Sequence, residues 1–193
     1  MKFQLLPVVL FVGCAALPPQ EEPANYQPHL QRVSAIEHFA LTGRIAILTE
    51  TKGFSGTMRW HHRIDGDDIA FYSPLGTQLG QLNLDASGVT LTTGNRQTYQ
   101  ADDAETLTQQ SLGWSLPLDG LPDWVLGRPT AGGAEILAWD AAGRIMRMRQ
   151  NGWDIEYPLY QEAADRTLPG KVVLKSRKLD LKLVIESWQT DAE

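Results

Sequence analysis

Three carboxylates lie close together in the sequence, at Asp102, Asp103 and Glu105. Paired carboxylates are the acid and base of a glycosidase. The same residues precede a segment with helical character, where a carboxylate caps the first free N–H groups and interacts favourably with the helix dipole. The pattern therefore favours a helix start, and a hydrolase that uses Asp102 or Asp103 together with Glu105 is the alternative.

Metal-binding residues are few and dispersed. His61 and His62 are adjacent, so on a strand they face opposite sides and cannot share one metal. His29 and His38 are remote in sequence, and Cys14 is the single cysteine. One cysteine excludes an internal disulfide and every Cys-based zinc or iron–sulfur site. We expect neither a metal nor a cofactor.

Two further patterns resemble functional motifs only in part. Residues 53–56 read Gly-Phe-Ser-Gly, like a fragment of a nucleophile elbow, but Thr57 stands in place of the second glycine and a strand follows. Arg147 and Arg149 could bind an anion, yet they alternate with methionines, which is typical of a solvated strand face. We therefore expect a protein that is not an enzyme.

The N-terminus carries an export signal. Lys2 precedes an apolar run over residues 5–12, and the run ends at Gly13-Cys14. Such a run is too short to span a bilayer. It resembles a bacterial lipoprotein signal, which implies that residues 1–13 are removed and that Cys14 receives acyl chains such as palmitate. Ala15 after the cysteine implies the outer membrane of a Gram-negative bacterium, and an ordinary signal peptide is the alternative.

Composition indicates a tether followed by one domain. Residues 14–30 contain four prolines and predict an extended tether, and residues 31–193 form the domain. The chain has 193 residues and 17 Lys+Arg against 23 Asp+Glu, a net charge of −6. This length buries a sizeable core, and an acidic chain without a basic run argues against nucleic-acid binding. We expect a monomer.

The dominant hydrophobic period is two. Met58, Trp60 and His62 alternate with polar residues, as do Leu181 and Leu183 with their neighbours. Short alternating runs separated by tight turns predict an antiparallel meander, closed or curled into a barrel, with few helices. The helices are expected from Asp102 or Asp103 to about Leu112, around Leu118 to Leu126, and near Leu30 to His38. The turn signals are Asp65-Gly66, Ser87-Gly88, Gly94-Asn95, Ala142-Gly143 and Asn151-Gly152.

Residues 73–76, Ser-Pro-Leu-Gly, interrupt two strand-like runs and predict a turn with Leu75 at its exposed tip. Beside a membrane anchor, such a leucine can enter a bilayer, because burying it yields roughly 1.5–3 kcal/mol. The chain also has six Trp, five Phe and five Tyr. A small barrel fills its interior with such side chains or encloses one apolar ligand, and both alternatives stay open here.

Several segments resemble the family of LolB, the outer-membrane receptor of the bacterial lipoprotein-localisation pathway. They follow in order from about Phe39 to Trp188. They are residues 41–44 (Leu-Thr-Gly-Arg), 54–56 (Phe-Ser-Gly) leading to Trp60, 73–76, 99–105, Gly113 with Pro117-Leu118, 124–127 with Pro129, 150–153 leading to Tyr157 and Tyr160, Leu168-Pro169, and 181–183 leading to Trp188.

The resemblance implies an incomplete, strongly curved antiparallel barrel with a helical lid, shared with the periplasmic carrier LolA. It implies an apolar cavity that accepts acylated lipoproteins from that carrier and a loop leucine, here Leu75, that acts in their insertion into the inner leaflet of the outer membrane. A scaffolding lipoprotein, or an apolar-ligand-binding barrel without transfer activity, is the alternative. Face alternation selects the cavity residues Trp60, Phe71, Leu82 and Ile155, with Trp124 as the lid.

Overall fold

The computed structural model describes residues 21–190, so Cys14 and the predicted signal peptide lie outside the described residues. Within that range, none of the helices has the length and apolar character needed to cross a membrane. The described elements are α1 (Tyr26–Ser34), β1 (Phe39–Thr49), β2 (Gly53–Arg63), β3 (Gly66–Tyr72), β4 (Gln78–Asp85), β5 (Gly88–Thr93), β6 (Thr98–Ala101), α2 (Ala104–Leu112), α3 (Leu121–Val125), β7 (Glu135–Trp139), β8 (Ile145–Gln150), β9 (Trp153–Ala163), β10 (Arg166–Lys175) and β11 (Leu179–Thr190).

All eleven of these strands form one antiparallel sheet in the order β6-β5-β4-β3-β2-β1-β11-β10-β9-β8-β7. The first and last strands are neighbours at the centre, and β6 and β7 are the two unpaired edges. The segment that contains α2 and α3 connects those edges. The sheet is therefore unclosed, which confirms the predicted fold class of a mainly β, incomplete antiparallel barrel with a few helices.

A bulge between Thr42 and Gly43 shifts the pairing of β1 with β11. Bulges bend a strand and increase its twist. A Cβ at Gly43 would lie 2.6 Å from the carbonyl oxygen of Val184, so only glycine permits this close approach of the two central strands. The bend contributes to the curvature that turns one face of the sheet inward.

The inward face follows the predicted period of two. In β1, Ile45 and Ile47 are buried whereas Arg44 is exposed, and in β11, Leu181 and Leu183 are buried on either side of the exposed Lys182. Each predicted turn pair lies at or beside a hairpin connection. The alternation and the turn residues therefore specify both the strands and the face that each strand buries.

The three helices match the predictions to different degrees. Helix α2 begins directly after Asp103, as expected, and α3 is shorter than expected. Helix α1 begins at Tyr26 rather than near Leu30, so the packed part of the chain starts inside the segment predicted as tether. The reason is tertiary: the Tyr26 ring packs edge-on against Trp139 at 5.7 Å, and Pro28 is tolerated because it lies in the first turn.

Candidate functional site

The strand register defines two ends of the sheet. Gly53 pairs with Leu48, Tyr72 with Thr57, and Lys175 with Asp180. The connections β1–β2, β3–β4, β5–β6, β8–β9 and β10–β11 therefore lie at the same end, which we call the Leu75 rim. Helix α1 and the β7–β8 connection lie at the other end, the opposite rim, where the Asn25 side-chain amide donates to the Ala141 carbonyl at 3.2 Å.

Leu75 lies at the tip of the β3–β4 connection and is 95% exposed. The Ser73 amide donates to the Thr77 carbonyl at 2.8 Å, and the Gly76 amide donates to the Ser73 carbonyl at 2.9 Å. Gly76 has φ +84°, a conformation that favours glycine. The loop is thus closed by its own backbone hydrogen bonds, and it holds the leucine side chain out in solvent.

The five residues selected as cavity lining are all at most 2% exposed and belong to one apolar cluster. Trp60, Phe71 and Leu82 lie on the neighbouring strands β2, β3 and β4. Ile155 lies on β9, in the other half of the sheet, and Trp124 lies on α3. The structure therefore brings all five into the interior.

Both tryptophans among these five residues are held by hydrogen bonds. The Trp60 indole N–H donates to buried Asp67 at 2.6 Å, and the Trp124 indole N–H donates to the Gln150 side-chain oxygen at 2.9 Å. The Gln150 amide nitrogen in turn donates to the carbonyls of Thr130 and Gly133. Trp124 is therefore tied to β8 and to the loop that follows α3, so any movement of this side chain involves that loop.

An opening of about 260 Å³ leads into the interior at the Leu75 rim. Phe54, Phe71 and Trp114 surround it as an aromatic cluster, with ring centroids 5.6–6.3 Å apart. Leu79, one of its lining residues, is the second residue of β4, which follows the Leu75 loop. We call this opening the mouth; Ile47, Thr49, Lys52, Gly53, Gly80, Ser111 and Leu112 complete its lining.

Of the mouth's lining residues, the sequence-based selection of cavity residues included only Phe71, and it missed the other two aromatic ones. Alternation along β2 predicts that Phe54 faces the interior, because it lies an even number of positions from Met58 and Trp60 and so is on the same face of the strand. Trp114 lies in the irregular segment after α2, where no period applies, and only the fold places its ring against Phe54 and Phe71.

The carboxylate cluster serves as a helix start. The Asp103 carboxylate accepts a hydrogen bond from the Thr106 amide at 2.7 Å, which is the geometry of an N-cap. Burial, together with the charges of Asp119 and Asp103, raises the pKa of Glu105. Asp103 is thus engaged in capping. Among residues 21–190, no group of three or more His, Cys, Asp or Glu side chains is arranged to hold a metal ion.

The arginine pair lies on an outward strand face. Arg147 and Arg149 are both exposed, while Met148 between them is buried. Arg149 forms ion pairs with Asp154 at 2.8 Å and with Glu135 at 3.1 Å. The pair therefore contributes to the solvated face of β8.

An unclosed antiparallel sheet curved over an apolar interior, with helices spanning the gap between its edges, defines a LolA-like fold class. The chain is similar to a LolA superfamily protein from Nitrosomonas europaea (TM-score 0.53, 8% identity, covering 87% of this chain and 94% of that one). It is also similar to a DUF1329 family protein from Desulfovibrio piger (TM-score 0.55, 7% identity, covering 88% and 92%). At such identities the likeness concerns the fold alone.

Sequence comparison identifies the family. The family model described as "Outer membrane lipoprotein LolB" matches residues 37–188. A relative named outer-membrane lipoprotein LolB from Pseudomonas savastanoi pv. phaseolicola is 34% identical over 188 residues, covering 94% of this chain and 92% of the relative. Another of the same name from Nitrosococcus oceani is 36% identical over 190 residues, covering 96% and 94%. The chain belongs to the outer-membrane lipoprotein LolB family, as its motifs predicted.

Proposed function

We propose that this protein is an outer-membrane lipoprotein receptor without catalytic activity. It accepts acylated lipoproteins from the periplasmic carrier LolA in its apolar interior and inserts them into the inner leaflet of the outer membrane. The observation that carries this proposal is the position of the mouth, an aromatic-lined opening beside an almost fully exposed leucine. Membership of the LolB family supports the pathway.

The proposal includes a lipid anchor at Cys14, after removal of residues 1–13. Because the packed chain begins at Tyr26, the tether extends from Cys14 to Asn25. A cysteine that carries several acyl chains holds a protein stably at a membrane, since each buried methylene contributes about 0.8 kcal/mol. The protein acts as a monomer that remains at the periplasmic face of the outer membrane.

The interior is filled by side chains, so cargo has to displace some of them. A water molecule takes roughly 30 Å³ in the liquid and a methylene group is of similar size, so the mouth of about 260 Å³ holds about nine methylenes, less than one long acyl chain. Filling it further requires Trp114 and α2 to move away from the sheet. Because no nucleotide drives the transfer, cargo must bind this protein more tightly than the carrier, and the membrane more tightly still. Each tenfold gain in cargo affinity requires about 1.4 kcal/mol.

We expect acylated cargo bound to the carrier to move onto this protein when the two are mixed. The measurement is co-purification of cargo with the receptor, and the same cargo without acyl chains is the control. An unchanged cargo mass after transfer would agree with a non-catalytic role. Cargo that stays with the carrier, or equal transfer of the non-acylated form, would favour a scaffolding lipoprotein instead.

A further inference from the structure

The Leu75 rim concentrates the exposed apolar side chains of the domain. Among the described residues, six large apolar side chains are exposed, and four of them lie at this rim. These are Leu48 at 62%, Leu75 at 95%, Leu79 at 38% and Tyr99 at 42%. Exposed apolar residues gathered at one end mark an interaction surface.

The same rim carries cations that form no ion pair within residues 21–190. The exposed carboxylates close to them are Glu50, Asp180 and Glu105, the last of which lies in one groove with Lys178 and is affected by its charge. Arg149 at this end is paired with Asp154 and Glu135, so the rim has six cations against five carboxylates. The rim is therefore net positive in a chain whose overall charge is −6. The unpaired cations are Lys52, Arg96, Lys175, Arg177 and Lys178.

At the opposite rim, acidic side chains pair with most of the arginines, and among the described residues Arg32 of α1 is the exception. Arg63 contacts Asp65 and Asp68, and Arg144 contacts Asp140 at 2.6 Å. Cations that face carboxylates have little charge left for an external anion. Unpaired positive charge is thus concentrated at the Leu75 rim, whereas most arginines at the other end of the strands face carboxylates.

A groove of about 720 Å³ lies between the β8–β9 and β10–β11 connections at the Leu75 rim. Lys175, Arg177 and Lys178 line one side of it, and the half-buried Trp153 lies at the β8–β9 connection. Tryptophan beside lysine and arginine is the composition found where proteins meet the polar region of a membrane. The groove has room for phosphate groups beside an apolar wall.

Resting on the proposed function, we propose that the whole Leu75 rim is a contact surface for an anionic phospholipid membrane. Leu48, Leu75, Leu79 and Tyr99 enter the lipid–water interface, and the five cations bind headgroup phosphates. A lysine or arginine beside an anionic leaflet strengthens binding by about fivefold. The docked rim places the mouth against the leaflet that receives the acyl chains.

The length of the tether is compatible with this orientation. The tether meets the domain at the opposite rim, where Asn25 contacts Ala141. Strand β9 has 11 residues and a length of about 36 Å, and a strand tilt of about 35–45°, typical of barrels, reduces the separation of the two ends to about 25–29 Å. The Tyr26 amide donates to the Pro23 carbonyl at 3.0 Å in a turn before α1, so the extended tether has at most nine residue steps, from Cys14 to Pro23, and reaches about 30–32 Å. An anchor and the Leu75 rim can therefore contact the same leaflet.

The test uses the lipidated full chain in vesicles. Because Cys14 is the only cysteine and carries the anchor, Thr77→Cys provides a unique position for a polarity-sensitive fluorophore beside Leu75. We expect a blue shift in phosphatidylethanolamine vesicles that contain phosphatidylglycerol, and loss of that shift at high salt. Arg177→Gln should lower about fivefold the ratio of molecules whose Leu75 rim is in the membrane to molecules whose rim is in solution. Arg32→Gln, an exposed arginine of α1 at the opposite rim, should leave it unchanged.

A blue shift of equal size without phosphatidylglycerol, or equal effects of Arg177→Gln and Arg32→Gln, would overturn the inference. So would an Arg177→Gln protein that accepts cargo slowly from the carrier while its rim immerses normally, because the cations would then belong to protein docking. A different result would contradict the proposed function: the Leu75 rim of the wild-type protein enters the membrane, but the protein accepts no acylated cargo from the carrier.

Discussion

Leu75→Glu is expected to leave a folded protein that accepts cargo from the carrier but fails to deliver it to a membrane. Leu75 is 95% exposed, so its replacement removes no packing and should change the free energy of unfolding little. Insertion of leucine into a bilayer yields roughly 1.5–3 kcal/mol, and glutamate forfeits this gain and adds a charge that anionic lipid repels. A loss of about 2 kcal/mol slows delivery about thirtyfold if it falls on the rate-limiting step.

The measurement for Leu75→Glu is the rate at which labelled cargo floats with vesicles, after acceptance from the carrier has been checked separately. Leu159→Glu is the matched control, because Leu159 is a 54% exposed leucine of β9 away from the Leu75 rim. Normal delivery by Leu75→Glu would remove Leu75 from the mechanism. Equal losses in the two variants would show a general effect of surface charge.

Leu82→Ala is expected to destabilise the protein and to make its stability depend on an acyl ligand. Deleting a fully buried leucine costs about 2–5 kcal/mol, and part of this cost is the cavity left behind. Leu82 lies in the proposed acyl-chain interior and is fully buried. A fatty acid that fills the space should recover stability, by about 2.7 kcal/mol at a hundredfold excess over its dissociation constant.

Denaturant unfolding with and without fatty acid measures this recovery. Leu168→Ala is the control, because Leu168 is equally buried but lies near the start of β10 at the opposite rim. We expect both variants to lose stability and only Leu82→Ala to regain it with ligand. Recovery of neither variant, or of both alike, would indicate that Leu82 belongs to an ordinary core.

The sequence predicts local features of this fold well and distant ones poorly. Alternation and turn residues identify the hairpins, because both depend on neighbouring residues. The pairing of β1 with β11 and the gap between β6 and β7 are contacts between distant segments, and hydrophobic period carries no information about them. The unclosed barrel came from the family resemblance. The early start of α1 depends on burial of Tyr26 against Trp139, which is equally non-local.

The candidate site divides in the same way. The turn at Leu75 is readable from Pro74 and Gly76, whereas Trp114 joins the mouth only through tertiary packing. The positive rim has no clear signature in the sequence, because three of its five unpaired cations lie at the β10–β11 connection and the other two at separate connections, so no basic run of five or more residues forms. A search for basic runs, which argues against nucleic-acid binding, therefore misses this surface.

The most direct test of the central claim is photo-crosslinking from the interior during transfer. A photoreactive phenylalanine at position 71 replaces a buried aromatic ring of the mouth, and the same residue at position 72 replaces the half-buried Tyr72, which contacts Arg59 on the other face of the sheet. We predict cross-links to the acyl chains of cargo from position 71 and none from position 72. No cross-link from position 71, or equal cross-linking from both, would contradict an acyl-binding interior.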